Sequence, residues 1–302
     1  MPTSTFAGLE DSAYFLDQIR PRSILDIGVG FGRTAFLARE YLDVTLRGRF
    51  RREDWITRID GIEVFADYLQ AHQRALYNQL YVGDAYDVLD GLENYDVVVL
   101  GDVLEHFEKP RAWEVLDKCA AHCERAIFLY IPLGERWTQG EAHGNPHERH
   151  LSFWERDEIE PFAQLCRYST IEDLGHYGRF LIKKEDYLHH RVREQAGRLA
   201  DLGRCQGALD YLENKLKGLP LDRHSEYYMV DMMIKNRLLE AAKTRLQTIE
   251  SRFPDEKEQV RFYLRKLAKV IPARRSREIS PHISAPGAVY GPQPLSRRAG
   301  TL

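Results

Sequence analysis

The stretch LDIGVGFGRT, residues 25–34, sets three glycines at alternate positions after a short apolar run, SILDIG (23–28). A buried strand ending in such a turn, followed by the helical spacing of RTAFLAREYL (33–42), opens a strand–turn–helix unit. In an open parallel sheet this first turn lies at the carboxyl ends of the strands, where ligands sit. Glycine there lets the backbone take positive φ and lets a ligand approach without a Cβ in the way. The dinucleotide fingerprint G-x-G-x-x-G would need its third glycine at position 33, which is Arg33. The spacing therefore disfavours a pyrophosphate site.

The unit repeats along the chain. ITRIDGIEVF (56–65) reads as a second strand and ADYLQAHQRALY (66–77) as its helix; LYVGDA (80–85) and YDVVVLGD (95–102) read as a third and fourth strand. RAWEVLDKCAAHC (111–123) follows as a helix and AIFLYIPLG (126–134) as a fifth strand. Near-continuous apolar strands separated by amphipathic helices require a parallel sheet covered on both faces. A helix is expected over 153–166, then a hairpin of YSTIEDLG (168–175) and GRFLIKK (178–184) joined by His176 and Tyr177. The fold class is α/β, a doubly wound, mostly parallel seven-stranded sheet.

The composition restricts the function class. With 302 residues, 43% hydrophobic and 29% charged, the chain is long enough for one sizeable core and a smaller appendage. No leader pattern and no membrane-spanning run are read in it, and Cys119, Cys123, Cys166 and Cys205 are too scattered for a disulfide framework, so a cytoplasmic location is expected. A formal net charge of −3 argues against nucleic acid as the main partner, although Arg274, Arg275, Arg277, Arg297 and Arg298 make the end locally basic.

Two acidic residues fall where a nucleoside would need them. Glu63 ends the second strand, where a carboxylate can accept from ribose hydroxyls, and Asp84 ends the third, where one can accept from an adenine amino group. With DIGVGFG, IEVF, GDAYDVL and YDVVVLGDVLEHFEKP in this order, residues 20–184 resemble the class I S-adenosylmethionine-dependent methyltransferases, and DVLEHFEKP is similar to the small-molecule O-methyltransferases of the quinone-biosynthesis type. The resemblance implies a Rossmann-like methyltransferase fold and S-adenosylmethionine as cofactor. It implies that Gly28, Gly30 and Gly32 line the methionine end, that Asp26 orients that loop or the donor's ammonium, that Glu63 holds the ribose, that Asp84 and Ala85 face the adenine, and that Asp102 and Val103 close over the cofactor. The longer, basic connection DVTLRGRFRREDWITR (43–58) reads as a solvated loop anchored by Trp55, or as a surface beside the substrate.

Methyl transfer asks the protein to align donor and acceptor and to remove a proton from a hydroxyl acceptor. Histidine is the natural base near neutral pH. His106 lies beyond the fourth strand, where Glu105 and His106 either serve the chemistry or cap the following helix. LGERWTQGEAHGNPHERHLSFW (133–154) carries His143, His147, Glu148 and His150 in a loop at the same edge, and GNPHERHLSFW resembles a segment near the acceptor in bacterial methyltransferases of glycan and secondary-metabolite pathways. The candidate catalytic residues are His150, His147 and His106. No metal is expected: H-x-x-x-H-E-x-H is not a recognised ligand spacing, and Cys119, His122 and Cys123 read as core packing.

Residues 1–184 thus form the methyltransferase unit. Over 185–272 the pattern is helical, with Gly203 and Arg237, Ala208 and Ala242, Leu212 and Leu246, and Pro220 and Pro254 each 34 apart, which resembles tetratricopeptide repeats. A scaffold, self-association or protein-partner role is expected for it, and residues 273–302 are expected to be a disordered tail. The reading is a methyltransferase acting on a small-molecule acceptor, on an oxygen of a sugar, glycan intermediate or secondary metabolite, with a nitrogen acceptor left open. Its alternatives are a non-catalytic cofactor-binding scaffold and a nicotinamide-dependent oxidoreductase.

Overall fold

The computed structural model describes Thr5 and residues 8–270; the expected tail lies outside the described residues. Seven strands, β1 (Ser23–Ile27), β2 (Arg58–Glu63), β3 (Gln79–Val82), β4 (Tyr95–Gly101), β5 (Cys123–Leu133), β6 (Leu165–Ile171) and β7 (Gly175–Lys183), form one sheet. Its order is β3-β2-β1-β4-β5-β7-β6. All pairs are parallel except those made by β7, which runs antiparallel to both β5 and β6. Successive crossovers build outward from β1 in opposite directions, so the crevice between the ends of β1 and β4 is the switch point of the sheet.

Helices α1 (Leu9–Ile19), α2 (Arg33–Ala38), α3 (Ala71–Leu76), α4 (Ala85–Leu89), α5 (Lys109–His122) and α6 (Arg156–Ile159) accompany the strands. Alternate residues of the central strands enter separate cores. Leu25, Ile27, Val98 and Leu100 pack with α5 on one face. Ile24, Val97 and Val99 pack with Phe15 of α1 and Ala35 of α2 on the other. Cys119 and Cys123 are fully buried in the first of these cores, as small apolar groups would be.

Three local expectations are corrected. The helix over 153–166 is only α6 and a tight turn at Glu160–Phe162; Pro161 lacks the N–H that would continue an α-helix, and Leu165 already enters β6. The β6–β7 hairpin turns at Glu172–Leu174, with His176 and Tyr177 paired inside β7, because Asp173 takes the left-handed conformation the turn needs (φ 68°). The helix after β2 is split into a turn at Ala66–Tyr68 and α3.

The connection over 43–58 is ordered by buried charge. Arg39, on a π-helical turn after α2, pairs with fully buried Asp43 at 2.9 Å, and Asp43 accepts from the Ile56 and Thr57 amides. Trp55 donates to the Arg49 carbonyl and lies under the Arg39 guanidinium, the anchoring role expected of it.

From Lys184 onward the described chain is helical: α7 (Lys184–Asp201), α8 (Cys205–Lys215), α9 (Arg223–Lys235), α10 (Leu239–Arg252) and α11 (Lys257–Val270), with each helix packed on the next. The α7 helix belongs to two cores. Tyr187 is fully buried in the sheet core and donates to Asp117 of α5, while Val192 and Ala196 enter a separate helical core with Ala208, Leu212, Ala242 and Leu246. No described helix is long and apolar enough to cross a membrane.

Candidate functional site

A cavity of about 600 Å³ opens at the carboxyl ends of the central strands. It is large enough for a nucleoside cofactor together with part of a second ligand. Of the residues the sequence singles out, Gly28, Gly30, Glu63, Asp84, Ala85, Asp102, Val103, His106, His147 and His150 line it. Asp26 and Gly32 do not.

The glycine turn is a tight backbone cradle. Gly28 has φ +78°, and a Cβ there would stand 2.6 Å from Val103 Cγ2, so a side chain would collide with the second residue after β4. Gly30 is fastened to β2: its N–H donates to Glu63 Oε2 at 2.9 Å, while Glu63 Oε1 accepts from Phe65 N–H at 3.0 Å. Burial raises the Glu63 pKa against these two bonds. Each oxygen retains acceptor capacity toward the cavity. Asp84 caps α4 through Tyr86 N–H at 2.8 Å and is exposed at the far end of the same wall, beside buried Ala85.

Asp26 acts from behind the turn. It is buried, accepts from the Tyr77 hydroxyl and is bonded to Thr34, a cavity residue; burial pushes its carboxyl up to about 7. Of the two roles considered for Asp26, this position supports holding the loop. Gly32 starts α2 and faces Gln73 of α3.

The other end of the cavity carries the histidines. Beyond β4, Asp102 adopts φ 54°, a left-handed conformation unusual for a non-glycine residue, and receives the Tyr177 hydroxyl. Next come Glu105 and His106 in a tight turn at Leu104–His106. Capping of α5 by these two does not occur: the helix starts after Glu108 and no side chain caps it. Instead Glu105 is 1% exposed, its Oε2 buried without a partner in the protein, and burial beside Asp102 raises its pKa well above the carboxylate range. Burial lowers the His106 pKa, which favours a neutral ring.

The loop after β5 folds back over this turn. Leu151 and Ser152 N–H both donate to the Glu105 carbonyl, at 2.7 and 3.1 Å. The His106 and His150 rings consequently meet, centroids 5.0 Å apart. A carboxylate oxygen of Glu105 and one ring nitrogen from each histidine lie within 4.8 Å of one another, a set that could hold a metal ion. His147 lines the cavity nearby, with its N–H on Asn145. Glu148 is held by Tyr68, Asn145 and Gln139, and His143 is outside the cavity wall.

Sequence reading missed Tyr68, Tyr177 and Arg179. Arg179, in the middle of β7, is 4% exposed; its Nε donates to Asp11 Oδ2 at 2.7 Å, and its Nη1 is buried without a partner in the protein. A lone arginine in an apolar strand was a readable signal, since a buried charge is retained only when something pairs with it. Asp11 lies 168 positions away, and nothing local in the sequence announces it.

No family model matches the chain, and no curated protein matches it. Among solved structures it is similar to TehB from Haemophilus influenzae, with 13% identity, a TM-score of 0.43, and coverage of 59% of this chain and 63% of that one. It is similar to magnesium protoporphyrin IX methyltransferase of Synechocystis with bound SAH, with 14% identity, a TM-score of 0.41, and coverage of 60% and 89%. A third is a SAM-dependent methyltransferase from Archaeoglobus fulgidus, with 15% identity, a TM-score of 0.38, and coverage of 58% and 93%. The chain thus spans just under two thirds of the length of TehB.

Proposed function

We propose that the chain is a cytoplasmic methyltransferase that moves a methyl group from S-adenosylmethionine to an oxygen of a small-molecule acceptor. The observation that carries this reading is the bond from Gly30 N–H to Glu63 at the switch point of the sheet. It brings a glycine cradle and a strand-end carboxylate together on one cavity wall, with Asp84 and Ala85 further along it. This donor set fits a nucleoside with a small zwitterionic tail. It lacks the third glycine that a pyrophosphate requires.

When bound, S-adenosylmethionine supplies a methyl group already activated as a sulfonium. The chain's residues do the remainder. Glu63 accepts from the ribose hydroxyls, Asp84 and Ala85 receive the base, and Gly28, Gly30 and Val103 leave room for the methionine portion. Asp26 holds the turn through Tyr77 and Thr34. At the other end, the Glu105–His106–His150 cluster is where the acceptor proton leaves, and His147 positions the acceptor. The unpartnered Nη1 of Arg179 offers a charged donor to an acceptor oxygen. A sugar, glycan intermediate or secondary metabolite provides such oxygens.

The helices after β7 serve in this reading as a tetratricopeptide-like scaffold for a second copy or a protein partner. Support comes from pairs 34 apart, Ala208 with Ala242 and Leu212 with Leu246, all four of which are buried in one helical core. The test of the enzyme reading is transfer of labelled methyl from S-adenosylmethionine into a metabolite extract. Labelled product supports it; binding of the donor with no labelled product from any extract favours the scaffold alternative.

A further inference from the structure

We propose that Glu105, His106 and His150 form a binding site for one first-row divalent cation, of the zinc or manganese kind, at the acceptor end of the cavity. This departs from the metal-free expectation drawn from sequence. In sequence His150 stands with His143 and Glu148 on one loop, and Glu105 and His106 lie more than 40 positions before it.

The first ground is spacing. The three ligand atoms lie within 4.8 Å of one another, and a metal with bonds of about 2.0–2.2 Å brings such atoms to roughly 3–4 Å, so small side-chain rotations close the set.

The second ground is the hydrogen bonding of the rings. His106 Nδ1 stands 3.2 Å from the Arg149 carbonyl and His150 Nδ1 stands 2.6 Å from the Trp137 carbonyl. A carbonyl only accepts, so each Nδ1 is the nitrogen that carries a proton, and Nε2 is the one left to act as a ligand. Two imidazoles oriented by backbone carbonyls in this way are set up as metal ligands.

The third ground is Glu105 itself. Its Oε2 is buried in the protein without a partner, in a residue only 1% exposed. Among the described residues no lysine or arginine forms an ion pair with Glu105 or Glu148. A buried carboxylate oxygen left this way is costly unless a ligand satisfies it, and a cation does so directly.

The donor set identifies the chemical class. Two imidazoles and a carboxylate, with no thiolate among them, suit zinc, manganese or iron(II) more than copper(I) or calcium. Three protein ligands leave coordination positions open toward the cavity. An acceptor hydroxyl bound there would have its pKa lowered and release its proton to solvent. Its oxygen then bonds to the methyl carbon as the sulfur–carbon bond breaks, and that electron pair returns to sulfur. The catalytic role rests on the methyl-transfer reading; occupancy by metal does not.

The test uses the full chain, stripped with a chelator, dialysed, and titrated calorimetrically with Zn²⁺ alone and Mn²⁺ alone, with elemental analysis after gel filtration. One equivalent is expected for the parent and for His143→Ala. His150→Gln, His106→Gln and Glu105→Gln should each bind at least about 10-fold more weakly. Failure of the parent to retain either metal overturns the site, as does binding of parent-like strength by folded His150→Gln. Should Glu105→Gln not fold, as judged by its melting transition, the two histidine variants decide the matter. S-adenosylhomocysteine affinity is measured on the same samples. A protein that binds metal but no S-adenosylhomocysteine contradicts the donor reading and leaves the metal site standing; the converse contradicts only the metal.

Discussion

Glu63 Oε2 accepts the Gly30 amide at 2.9 Å, so the end of β2 and the turn after β1 are one hydrogen-bonded unit facing the cavity. Because the same carboxylate is assigned to the ribose, Glu63→Ala is expected to weaken S-adenosylhomocysteine binding by about 1.5–3 kcal/mol, the range for bonds to a charged group. Titration calorimetry measures it. Unchanged affinity would remove Glu63 from the donor site.

Gly28 is expected to tolerate no side chain. A Cβ would stand 2.6 Å from Val103 Cγ2 in a backbone of φ +78°, so Gly28→Ala should destabilise the fold by about 1–3 kcal/mol and weaken donor binding. Gly48 provides the contrast: it also has positive φ, but nothing lies within 4 Å of its would-be Cβ, so Gly48→Ala should cost stability without touching donor affinity. Equal loss of donor affinity in both would contradict the cradle.

Asp26 should leave a signature in stability against pH. Burial raises its folded pKa to about 7, above its ordinary value near 4, so the folded chain holds the proton more tightly than the unfolded chain. Its contribution is therefore full below about pH 4 and is lost as pH rises through about 7. Asp26→Asn keeps an acceptor for Tyr77 and removes the titration. Thermal melts from pH 5 to pH 8 should show the variant gaining on the parent as pH rises. A constant difference across that range would refute the buried, proton-holding Asp26.

The histidines should separate in kinetics. His150→Ala is expected to lower kcat by about 10²–10⁴-fold with S-adenosylhomocysteine affinity kept, whereas His147→Ala should mainly raise the acceptor KM. The opposite pattern would move the site of proton removal to His147.

The joint between the sheet and the helices should be a stability element. Tyr187 is fully buried in the sheet core, so Tyr187→Ala is expected to cost about 3–5 kcal/mol, measured by denaturant unfolding. A loss below about 1 kcal/mol would mean that α7 is not part of that core.

The parts of this protein legible in its sequence are those governed by local pattern. DIGVGFG, IEVF and YDVVVLGD could be read because a doubly covered parallel strand must be apolar throughout and its first turn must be glycine-rich. Glu63 and Asp84 followed from their places at strand ends. What was not legible depends on long-range closure. The meeting of Glu105 and His106 with His150 arises because the loop after β5 folds back to bond the Glu105 carbonyl, and the Arg179–Asp11 pair joins residues 168 positions apart. The helix expected over 153–166 shows the limit of periodicity: its apolar residues are spaced as in a helix, but Phe162 is buried from a tight turn and Cys166 packs, half-buried, from a strand.

The central claim is that the cavity at the switch point is built for S-adenosylmethionine. Calorimetric titration of the purified chain with S-adenosylhomocysteine and, separately, with NAD tests it most directly. A single saturable S-adenosylhomocysteine site, weakened in Glu63→Ala, and no binding of NAD are expected. Binding of NAD with no response to S-adenosylhomocysteine would contradict it.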